Sequence, residues 1–94
     1  MRDLEALTVD DFAALRGDRF RIVPDGGPSF DAELIEVSDI AREPGGRAPF
    51  SLVFKGGPNP PLQQRIFRVE HDALGALEIF LVPIGADRYE AVFT

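Results

Sequence analysis

From Gly17 onward the chain repeats one device. Apolar side chains recur at every second position in short runs, and each run is cut off by a segment rich in Gly, Pro or Asp. A period of two belongs to strands, whose successive side chains point to opposite faces. The breaks are too short for the crossover helices that a parallel sheet requires, so neighbouring strands must run antiparallel. The pattern predicts a mainly β protein, a small antiparallel β-barrel or compact sandwich of about six strands with one short N-terminal α-helix. Ninety-four residues leave room for one hydrophobic core, so residues 1–94 read as a single domain.

The runs differ in informative ways. "DRFRIVPD" points Phe20 and Ile22 inward, and Asp25-Gly26-Gly27-Pro28 ends it. "SFDAELIEVSDI" begins with Phe30, Ala32 and Leu34 on one face. Its phase slips at Leu34-Ile35, so Ile35 and Val37 take over the inward face, as at a β-bulge. "FSLVF" (50–54) is apolar on both faces and reads as a central strand. "RIFRVEH" (65–71) aligns Phe67, Val69 and His71 on one side. "ALEIFLVPIG" (76–85) is strongly apolar, and "DRYEAVF" (87–93) turns Tyr89, Ala91 and Phe93 inward after a hairpin at Gly85-Ala86-Asp87.

Ahead of the strands, "LTVDDFAALRG" carries the marks of a helix over about residues 8–16. Thr8 can cap it, Asp10 and Asp11 sit at the positive end of its dipole, and Asp11 is the acid of a capping box. Leu7 and Phe12 occupy the staple positions, and Gly17 suits a left-handed stop. A helix this short is marginal alone in water, so its Val9, Phe12, Ala13 and Leu15 side must cover the sheet.

Charge and composition narrow the function classes. The net charge is −6, with 11 acids and 6 bases in residues 1–47 against 5 and 4 in residues 48–94. No cluster of Lys and Arg exists to neutralise phosphates, which argues against nucleic acid and against anionic membranes as partners. No apolar run approaches the roughly 20 residues of a membrane span. Cysteine is absent, which removes disulfides, thiolate metal sites and thiol catalysis. With a charged opening, "MRDLEALTVDD", in place of a secretory signal, the expected location is cytoplasmic.

Three stretches invite a chemical reading. "FKGGPNPP" has a lysine and glycines after a strand, but a phosphate loop needs its Lys after the second Gly, then Ser or Thr opening a helix. Prolines 58, 60 and 61 also remove the N–H donors that would cradle phosphate. The hydroxyls (Thr8, Ser29, Ser38, Ser51, Thr94) fall in no nucleophile-elbow motif, and Asp31 with Glu33 reads as a solvated strand face. Last is "RVEHDALG", where the only histidine lies between two acids. On a strand Glu70 and His71 point to opposite faces, so the three side chains cannot converge on one metal ion. Asp72-Ala73-Leu74-Gly75 reads as a type I turn, with Leu74 folding back onto the core and His71 closing the strand with one ring nitrogen on a backbone carbonyl.

Two binding surfaces remain. The first is the proline-rich loop with Asn59, Pro60, Pro61, Leu62, Gln63 and Gln64, stiff enough to lose little entropy on contacting a protein, with Leu62 exposed. An exposed strand edge would serve the same end. The second is a ligand pocket in the interior or mouth of a barrel, bounded by His71, Tyr89 and either Arg68 or Arg88. No catalytic, cofactor-binding or metal-binding residue is assigned. The leading expectation is a non-enzymatic interaction or assembly module with a protein partner or a second copy of itself; the rival is a small-ligand-binding barrel.

"LTVDDFAALRGDRF", "PFSLVFKG", "FRVEHDALG" and "FLVPIGADRYEAVF" resemble, in order and spacing, a family of short uncharacterised bacterial proteins, a domain-of-unknown-function family. Its members run from an L-T-x-x-x-F start through an E-H-x-x-L-G turn to an F-L-V-P-I/V-G strand. Relatives carry a Gly after the glutamine of the proline-rich loop, where this chain has Gln64-Arg65. The resemblance implies no catalytic residues. It does imply a place in a phage-tail-like or fibre-like assembly.

Overall fold

The computed structural model describes residues 7–39, 49–58 and 62–93. One α-helix, α1 (Val9–Ala13), precedes six strands: β1 (Arg19–Val23), β2 (Phe30–Asp39), β3 (Phe50–Gly56), β4 (Arg65–His71), β5 (Gly75–Gly85) and β6 (Arg88–Phe93). The strands close into an antiparallel barrel in the order β1-β2-β3-β6-β5-β4. Of the two expected architectures the barrel is therefore correct. Closure also overturns the idea of an exposed strand edge, because every strand in the ring has two partners.

The ring is made of two consecutive meanders, β1-β2-β3 and β4-β5-β6. Two long-range antiparallel seams join them, β1 to β4 (Ile22 opposite Val69) and β3 to β6 (Leu52 opposite Ala91). The middle strand of each meander is long and irregular. β2 shifts register between Leu34 and Glu36, so Ile35 is the extra residue of a bulge, at the position of the phase slip. Val37 then packs on the core as expected, whereas Ile35 stays half-buried outside the core cluster. β5 pairs with β4 from Gly75 to Leu81 and with β6 from Val82 to Gly85, with a second register shift between Pro83 and Gly85. Such shifts bend a strand and let a small barrel turn its corners.

Side chains fill the interior. Phe20, Ile22, Leu34, Leu52, Phe54, Val69, Leu81 and Tyr89 have no solvent exposure, and Phe20 meets Phe54 edge-on at 5.2 Å. At one end Phe50 and Phe93 stack at 4.6 Å, and the Phe12 ring of α1 lies 5.7 and 5.6 Å from them. The helix thus stoppers the barrel. It is shorter than residues 8–16: after Ala13 the chain continues in tight turns, with Leu15 and Arg16 N–H donating three residues back to Phe12 and Ala13 carbonyls. Gly17, at φ +94°, then reverses the chain, and its N–H donates to the Leu34 carbonyl at 2.8 Å. At the helix start the Asp11 carboxylate accepts the Thr8 N–H at 2.8 Å, the acid half of the expected capping box. Val9 and Leu15 rest on the core, while Ala13 is exposed.

Candidate functional site

The two expected sites lie at opposite ends of β4. At its last residue His71 turns inward with Phe67 and Val69, and its ring sits 4.6 Å from that of Phe20. Its nitrogens find different partners from the expected carbonyl. The Ala73 N–H donates to Nδ1 at 2.9 Å, and Nε2 lies 3.0 Å from the Asp18 carboxylate. An amide N–H can only donate, so Nδ1 accepts and Nε2 carries the hydrogen given to Asp18. The imidazole thereby ties the β4–β5 turn to the residue before β1. Of the neighbouring acids, Glu70 holds the Arg68 guanidinium at 2.8 Å, and Asp72 lies exposed in the turn.

The turn itself begins one residue earlier than expected. Leu74 N–H donates to the His71 carbonyl at 3.2 Å, so His71 is its first residue, and Gly75 follows at φ +75°. Leu74 is buried, as the sequence required. Among the described residues no three His, Asp or Glu side chains are grouped to hold a metal ion.

A polar groove of about 610 Å³ runs along the outer wall beside His71, with Arg19, Arg21, Asp31, Arg68 and Glu70 among its walls. It brings Arg68 and His71 together but not Tyr89. Tyr89 lies wholly in the core, and its oxygen accepts the Leu62 N–H at 2.8 Å, before the start of β4. The expected triad of pocket residues is therefore divided between two ends of the molecule.

The second surface is built around that Tyr89–Leu62 bond. Asn59, Pro60 and Pro61 lie outside the described residues, and Gln63 and Gln64 are exposed. Leu62 is not exposed, as the loop reading required; it is half-buried against the core, held there by the hydroxyl of Tyr89. Phe30, the first residue of β2, lies 6.0 Å from the Tyr89 ring and covers Gly57 so closely that a Cβ there would come within 2.7 Å of its ring. Between the β1–β2 turn and this loop lies an apolar groove of about 320 Å³. Pro24, Pro28, Phe30, Pro58 and Leu62 wall it, with Asp25 and Arg65 also bordering it.

Sequence reasoning points to Leu62 but misses the opposite wall. A signal for that wall is present: the Gly/Pro-rich breaks at residues 24–29 and 57–64 follow β1 and β3. Both strands pair antiparallel with β2 and so run the same way, which puts the two breaks at the same end.

Tyr89→Phe tests the anchor directly. It leaves a part-buried Leu62 N–H without its acceptor and lowers stability by about 1–2 kcal/mol. Urea unfolding reads the loss, and hydrogen exchange at the Leu62 amide accelerates in the same variant. Wild-type exchange there would show that the hydroxyl does not hold the loop.

No helix among the described residues is long and apolar enough to cross a membrane. No curated protein and no solved structure matches the chain. Residues 7–93, from the buried Leu7 ahead of the helix to the last residue of β6, match the family described as Domain of unknown function (DUF6916). The helix stopper, the E-H-x-x-L-G turn and the closing strand all fall within that match, and the chain belongs to this family.

Proposed function

We propose that the protein is a non-enzymatic interaction module, working in the cytoplasm, that takes an apolar side chain of a protein partner into the groove between residues 24–29 and Leu62. The observation that carries this reading is the groove itself: an apolar, concave surface at the end of a barrel whose interior is already filled. About 320 Å³ suits one large side chain, and the flanking Asp25 and Arg65 offer polar partners to the backbone on either side of it. Three wall residues are prolines (Pro24, Pro28, Pro58), so little freedom is lost when a partner docks. A role as a connector in a phage-tail-like or fibre-like assembly is consistent with such a site.

Ser29 is exposed and lines the groove, so Ser29→Trp fills it without entering the core. Wild-type protein, immobilised and exposed to native lysate, is expected to retain a discrete partner. The variant retains about tenfold less or worse, with an unchanged circular dichroism melt. Equal recovery by both proteins, or no specific partner for either, removes this reading.

A further inference from the structure

A different face of the barrel carries a second message. Four large apolar side chains are exposed among the described residues: Ile66 (62% exposed), Phe80 (49%), Ile84 (49%) and Val92 (55%). They lie on three neighbouring strands, β4, β5 and β6, and Ile66 is the direct cross-strand partner of Phe80. The remainder of the outer wall is built differently. Across β1, β2, β3 and β6 the rows read Arg19–Glu33–Lys55–Arg88, and across β4, β1 and β2 they read Glu70–Arg21–Asp31. The exposed apolar side chains are thus confined to the β4–β5–β6 side of the barrel among the described residues. Scattered single apolar residues are ordinary on a surface, but a clustered set flanked by charges marks an interface.

The charges flanking this cluster specify what covers it. Arg68 pairs across the strands with Glu78, two residues before Phe80; Glu90 pairs with Val82, two residues after it. Arg68 is on β4 and Glu90 on β6, so the two lie diagonally opposite each other with Phe80 between them. With Arg68 on one flank of the apolar residues, beside Glu78, and Glu90 on the other, an Arg68 and a Glu90 from two copies can pair reciprocally. A two-fold axis through Phe80, lying in the interface and perpendicular to the Arg68–Glu90 line, sets each Arg68 against the Glu90 of the other copy. It also sets Phe80 against Phe80. Within one chain Glu90 has no ion-pair partner among the described residues, and Arg68, itself exposed, pairs with the half-buried Glu70 on its own strand.

We infer that the β4–β5–β6 face pairs with the same face of a second copy of this chain, centred on Phe80 and registered by reciprocal Arg68–Glu90 pairs. This surface is separate from the groove beside Leu62, so either assignment can fail without the other. Pairing gives each assembled unit two such grooves, and hence two-point attachment to a repetitive partner.

Sedimentation equilibrium of the full chain over a concentration series provides the test. Wild type is expected to be a reversible dimer. Phe80→Ser, at a half-exposed position that leaves the core intact, weakens dimerisation by about 30-fold or more. Arg68→Glu and Glu90→Arg each weaken it, and the double exchange R68E/E90R recovers most of the loss. Ser29→Trp leaves the dimer unchanged. A wild-type monomer at every concentration overturns the proposal and leaves the face to a different protein. A dimer indifferent to Phe80→Ser, or one that the double exchange does not restore, overturns it equally.

Discussion

Phe12→Ala is expected to lower the melting temperature by about 15–30 °C. The ring has no solvent exposure and packs against both rings of the Phe50–Phe93 stack, at 5.7 and 5.6 Å. Truncating such a residue removes its transfer free energy and leaves a cavity, together about 3–5 kcal/mol. In a chain of this length each kcal/mol displaces the midpoint by about 4–8 °C. The effect exceeds what five helical residues could contribute by themselves, because the helix is marginal alone and exists by virtue of this ring. Phe12→Leu, which keeps most of the volume, loses less than half as much. Calorimetry of the two variants separates a stopper from a decoration. A Phe12→Ala protein that melts within about 5 °C of wild type would show that the barrel end is closed without α1.

Gly56→Ala is expected to destabilise by about 2–4 kcal/mol although it adds a single methyl group. Gly56 is the last residue of β3, at φ +146°, where L-residues rarely sit. Its cross-strand partner is Ala32, and a Cβ would come within 2.6 Å of the Asp31 carbonyl and 3.1 Å of the Ala32 Cα. Both obstacles are backbone of β2, so relief requires the two strands to part. Gly85→Ala serves as its control. That glycine also ends a strand, but a Cβ there meets nothing within 4 Å and its φ is not positive, so the change stays within about 0.5 kcal/mol. Chemical denaturation of both variants decides the matter. Equal effects would mean that β2 and β3 approach each other less closely at Gly56.

Much of this architecture is legible in the residues themselves, for a physical reason. Period-two burial at Phe20/Ile22 and at Tyr89/Ala91/Phe93 is imposed by the pleat, and the structure buries all five. The slip at Leu34-Ile35 is legible because a bulge breaks that period in sequence as well as in space. Ring closure is not, since a barrel and a sandwich share the same local alternation; they differ in whether β1 meets β4, which no short stretch encodes. Leu62 escapes local reasoning on the same ground. Its burial depends on Tyr89, 27 positions away, whose hydroxyl reaches the loop only after β6 is in place. The strand phase puts His71 on the inner side of β4, where it lies. Its partner, Asp18, is 53 positions distant and lies beyond any motif. The apolar outer face is hidden for a different reason: Ile66, Phe80 and Val92 alternate with buried residues, and an apolar run is equally consistent with two-sided burial.

The division of the ring into two meanders has a consequence for topology under mutation. Each half contains its own local hairpins, and strand pairing joins the halves at the β1–β4 and β3–β6 seams. Exchange of β4-β5-β6 between two copies would therefore leave every strand with the same neighbours, the defining condition for a domain-swapped pair. In that exchange the chain would part from its own first half after β3, where Gly57 sits at φ +95° beneath the Phe30 ring.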